Sequence, residues 1–274
     1  MMNLPDYNLL PAPLWLITIL HVVTLALHFV AMNFLFGGII ILVFGKMADK
    51  WQNPTVRKFL RLFPAAVAAT VTLGVAPLLF VQLVYHRQIY SASIVSAWFW
   101  VGIVFAVMAA YYLLYAAAFK ANKKNVHFPL LIGLAGLMLV YVSFVLSTVF
   151  SMGERPDLYT SLYAANQSGL VVNTDVGAWI FRWLHMILGA ITVGGFFVGL
   201  LGKDDAPAWD LGRKAFLWGM MAAMVVGLIY LFTLGDYLLA LMRSVAIWVL
   251  VAAIVLSLGS LHFFYRRKFL PSGL

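Results

Sequence analysis

Apolar positions along this chain do not alternate with polar ones. They run on without interruption, broken by short stretches that are charged or rich in proline and glycine. Seven such runs stand out, at Pro13–Phe44, Leu62–Tyr85, Ser96–Phe119, Phe128–Phe150, Val176–Leu201, Ala215–Leu234 and Tyr237–Phe264. A helix needs about 20 residues to cross ~30 Å of hydrocarbon, whereas the strands of an outer-membrane barrel are shorter and alternate. The pattern predicts an all-α fold, a polytopic transmembrane helical bundle of about seven spans. It forms a single integral-membrane domain over residues 1–274.

Composition agrees: 64% of residues are hydrophobic, 10% are charged, and the mean hydropathy is +0.99. An ordinary soluble domain has an apolar share nearer half. The basic residues then set an orientation. Lys46, Lys50, Arg57, Lys58, Arg61, Lys120, Lys123, Lys124, Lys203, Arg213, Lys214, Arg266, Arg267 and Lys268 fall on one side, and Arg87, Arg155, Arg182 and Arg243 on the other. Fourteen against four places the N-terminus outside and the C-terminus in the cytoplasm, as expected of a multi-pass protein of the cytoplasmic (inner) membrane. The net charge of +9 is thus mainly a topology signal, with no support for a nucleic-acid partner. The start, MMNLPDYNLL, has no basic region ahead of the first apolar run and reads as a short translocated tail. No internal repeat is evident. The longest hydrophilic segment, Ser151–Asp175, lies on the outer side and contains the chain's only glutamate, Glu154.

The chain has no cysteine, which excludes disulfides, iron–sulfur clusters, thiolate zinc sites and c-type haem attachment. The spans also lack mid-membrane Asp and Glu, the usual parts of a proton relay or cation-coupled transporter. What they do contain is histidine: His21 and His28 on the first span, His185 on the fifth, and His86 at the outer end of the second. His127 and His262, at inner ends, read as interfacial. A single buried histidine is most simply bonded to a neighbouring carbonyl, but several deep ones suggest a metal. His21 and His28 are seven residues apart, so they lie on one helical stripe about 10 Å apart along the axis and cannot both ligate one iron. Counting inward from Trp15 and Trp179, His21 and His185 are each six residues deep, or ~9 Å. That suits a haem held between helices on the outer half, with imidazole nitrogen as axial ligand.

Arg182, three residues before His185, is placed to pair a haem propionate, and Arg87 and Arg243 lie at outer helix ends. For these the simpler alternative is a lipid headgroup or, for Arg243, Asp236. Gly189, one turn from His185, together with Gly194 and Gly195, would let a flat macrocycle or a neighbouring helix approach closely. Met32, Met220, Met221, Met224 and Met242 could supply a thioether ligand, although methionine more often fills core gaps.

The segment FRWLHMILGAITVGGFFVGL (Phe181–Leu200), followed by RKAF (Arg213–Phe216), resembles the fifth helix and following loop of subunit I of cytochrome bd-type quinol oxidases. The resemblance implies that His185 is an axial ligand of a low-spin b haem. ILHVVTLALHFVAMNFLFGG (Ile19–Gly38) resembles that family's first helix, whose histidine ligates a high-spin b haem. Distance from the helix start favours His21 for this role, whereas the spacing to Gly37 and the His-Phe pair favour His28. TLGVAPLLFVQ (Thr72–Gln82) resembles the second helix, and the whole resemblance spans roughly residues 13–216. The chain departs from the family in lacking third-helix glutamates within Ser96–Phe119, the long outer quinol-binding loop and the late helix bearing a methionine ligand. His185 then needs another second ligand, with His21 or His28 the economical choice.

The expectation is a membrane-embedded b-type cytochrome subunit holding one or two b haems. It would carry electrons between membrane quinol or quinone and an outer-side carrier such as a c-type cytochrome, as part of a quinol oxidoreductase, and would not itself reduce oxygen. The quinol comes from the resemblance alone. A second expectation is a non-catalytic membrane anchor or scaffold of a larger respiratory or photosynthetic complex. A third, small-molecule transport, suffers from the missing acids.

Overall fold

A computed structural model of the protein describes residues 10–45, 53–119 and 127–265. Lys46, Lys50, Lys120, Lys123, Lys124, Arg266, Arg267, Lys268 and the N-terminal tail lie outside the described residues. The elements are α1 (Leu14–Phe44), α2 (Pro54–Val84), α3 (His86–Val95), α4 (Ala97–Phe119), α5 (Phe128–Gly153), α6 (Pro156–Ala165), α7 (Val176–Leu201), α8 (Ala206–Thr233), α9 (Asp236–Met242) and α10 (Ala246–Tyr265). The fold is therefore an all-α polytopic membrane bundle.

Six of these helices, α1, α2, α4, α5, α7 and α8, are long and apolar enough to cross a membrane. The seventh expected span is broken: Tyr237–Phe264 divides into the short α9 and a separate α10, whose apolar stretch Ala246–His262 falls short of the others. Two helices begin earlier than expected. α2 starts eight residues before Leu62 because Asn53 caps it, its side chain accepting from the amides of Thr55 and Val56, with Pro54 in the first turn. α8 starts at Ala206, not Ala215, because Asp205 caps it by accepting from the Ala208 amide. The basic residues that looked like loop, Arg57, Lys58, Arg61, Arg213 and Lys214, are helical turns at the rim. The hydrophilic Ser151–Asp175 segment is shorter than it read, since α5 runs on to Gly153 and α6 occupies its middle.

α1 and α7 cross side by side at the centre. A Cβ on Gly37 would strike the carbonyl of Ala190, and one on Gly194 would strike the backbone of Gly37 and Gly38. Without a hydrophobic drive between helices in lipid, such close backbone approach is what holds them together. α2 packs on α1 and α8 on α7, while α4 and α5 form a pair laid against α2 and α1. The main core lies in the half of the bundle where α1 ends and α2 begins. There Leu35, Ile39 and Leu42 of α1 meet Phe59, Leu60 and Phe63 of α2, Leu114 of α4, and Phe128 and Ile132 of α5. Phe34 ties the centre together, stacked on Phe59 at 5.2 Å and edge-on to Phe197 at 5.1 Å.

The two ends of the bundle are closed differently. At one, the caps of α2 and α8 join: Asn53 Nδ2 and Thr55 Oγ1 both donate to Asp205 Oδ2, at 2.6 and 2.9 Å, and Lys58 donates to the Leu201 carbonyl. At the other, the segment after α6 is stitched down by Val171 N to Val95 O, Ser96 Oγ to Val171 O and Asn173 Nδ2 to Ser151 Oγ.

Candidate functional site

The three histidines expected inside the membrane share one arrangement, with Nδ1 against a backbone carbonyl of the adjacent helix. His21 meets Pro77 O at 3.2 Å, His28 meets Thr70 O at 2.9 Å, and His185 meets Ala223 O at 2.8 Å. A carbonyl only accepts, so Nδ1 carries the proton and donates it. In the neutral ring Nε2 is then the nitrogen with the lone pair, the tautomer that a metal-ligating histidine uses when a carbonyl orients it from behind.

Two of the three also sit on a glycine. A Cβ on Gly74 would come within 2.7 Å of the His28 ring, and one on Gly227 within 2.8 Å of the His185 ring. In both cases the accepting carbonyl lies four residues before that glycine, at Thr70 and Ala223. The match extends further. His28 is followed after nine residues by Gly37 and Gly38 and then by Gly45, and His185 by Gly194, Gly195 and Gly202 at the same spacings. Gly38 faces Phe59 and Phe63 of α2, and Gly195 faces Gly212 and Phe216 of α8, which are the same register positions. The α1–α2 hairpin and the α7–α8 hairpin are thus two versions of one unit. The short α3 and the spanning α4 follow the first, as α9 and α10 follow the second.

An internal repeat is therefore present after all. Because it is carried by one histidine and a handful of glycines, with little else in common, plain reading along the chain passes over it. The spacing H-x8-G-G-x6-G would have found it. The repeat also corrects the depth count from Trp15 and Trp179. Gly37 and Gly194 touch, and each lies nine residues past its histidine. His28, not His21, therefore shares a level with His185, about 14 Å from the crossing toward the N-terminal ends of α1 and α7. His185 is turned onto α8 and both α1 histidines onto α2, so the helix seams do not bring His185 to either as a pair of ligands on one iron.

The surroundings of the two matched imidazoles differ. His28 is half-buried, whereas His185 is exposed in the isolated chain. Gly189 has open space where a Cβ would be, and its register counterpart on α1 is the half-buried Met32. Gly194 and Gly195, by contrast, are used for helix packing. Among the described residues nothing therefore covers that turn of α7 on the His185 side.

Arg182 donates to Glu154 Oε1 at 2.6 Å, so the chain's only glutamate holds the guanidinium that was expected to meet a propionate. Arg155 and Asp175 form a second ion pair beside it. Arg87 and His86 are exposed at the start of α3, and Arg243 is exposed just after α9. Among the described residues, no group of three or more His, Asp or Glu side chains gathers as a metal site. Comparison of the chain with protein-family models, with curated proteins and with solved structures finds no match.

Proposed function

We propose that the protein is a membrane-embedded b-type cytochrome subunit that carries electrons between membrane quinol or quinone and an outer-side carrier such as a c-type cytochrome. The observation that carries this reading is the duplicated imidazole. On two helices at one level, an imidazole is fixed by a carbonyl at Nδ1 and seated on a glycine, with no hydrogen-bond partner at Nε2. A histidine kept only for packing needs no such repetition.

The residues present fit haem b. Bound haem would supply one-electron redox chemistry. His185 would give an axial nitrogen, with the open flank over Gly189 admitting the macrocycle, and His28 is the matched position for the ligand of a separate, second haem. The Ala223 and Thr70 carbonyls hold the two rings in the ligating tautomer and raise the basicity of Nε2. Arg182 would meet a propionate by exchanging or sharing its bond to Glu154. In this reading protons from quinol would be released at the outer face. The resemblance to subunit I of bd-type oxidases supports a quinol donor. The missing third-helix glutamates argue against oxygen reduction by the chain itself.

A reduced-minus-oxidised spectrum of the purified protein tests this. A b-type band that disappears in His185→Ala is the expected result. A featureless spectrum in protein purified from its native membrane would leave the anchor reading standing in its place.

A further inference from the structure

We draw no further inference here: the strongest candidate, the exposed apolar face that α8 and α10 leave beside His185 on α7, carries nothing, because nothing among the described residues shows what covers it.

Discussion

The α1–α2 and α7–α8 hairpins place a histidine, a carbonyl and a glycine in the same relation, yet surround them differently. Around His28 the bundle is filled. Met32 occupies the turn beside it, α4 and α5 close the far side, and Leu60 is buried near the start of α2. Around His185 the same positions hold Gly189, a loosely placed α10 and Arg213. What both halves keep is an imidazole oriented by a carbonyl through Nδ1 and seated on a glycine. What only the second relaxes is the packing around that imidazole. On the proposed haem reading the His185 side would carry the larger share of the chemistry, while the His28 side is the more fully packed of the two.

The sharpest way to break this comparison is at the crossing that both halves share. Gly37→Leu puts a side chain into the Ala190 carbonyl and should abolish accumulation of folded protein, read as loss of a monodisperse peak in detergent. Gly37→Ala should destabilise it by about 1–3 kcal/mol, the usual cost of overpacking a tight contact. The next largest effect separates the two glycines near His185. Gly227→Val pushes against the ring and should remove most of the haem signal. Gly189→Leu meets open space and should leave the melting temperature of the apo-protein within a few degrees while also removing most of the signal. If Gly189→Leu retains haem, the macrocycle does not lie over that turn.

Smaller effects follow for the histidines of α1. His28→Ala should reduce haem content by less than His185→Ala does, and His21→Ala should reduce it least, because His21 lacks the seating glycine. A larger loss from His21→Ala than from His28→Ala, measured as haem per chain, would restore the depth count from the helix starts and undo the register match. Smallest of all is the outer ion pair. Glu154 is largely exposed, so Glu154→Gln should change stability by no more than about 1 kcal/mol. By releasing Arg182 it should shift the haem midpoint potential measurably if that guanidinium meets a propionate.

The spans were legible in the sequence because hydrocarbon thickness and uninterrupted apolar runs leave little choice, and the histidines because ionisable groups inside a membrane need a reason. Their setting was not legible. The acceptors at Thr70, Pro77 and Ala223 are backbone carbonyls, which have no sequence signature. The caps at Asn53 and Asp205 lie among charged residues that look like loop, so α2 and α8 read short. The break of the last span between Met242 and Ala246 passes through Arg243 and Ser244, which hydropathy alone smooths over. The pairing of Arg182 with Glu154 joins residues 28 apart and depends on α5 and α7 lying side by side.

The most direct test of the central claim is to remove the imidazole and return it. In His185→Gly the cavity left by the ring lies beside Gly227 and Ala223, so the purified protein should lose its b-type spectrum and regain it when free imidazole is added to millimolar concentration during haem loading. A His185→Gly protein that keeps the unaltered spectrum without imidazole would show that His185 does not hold the iron.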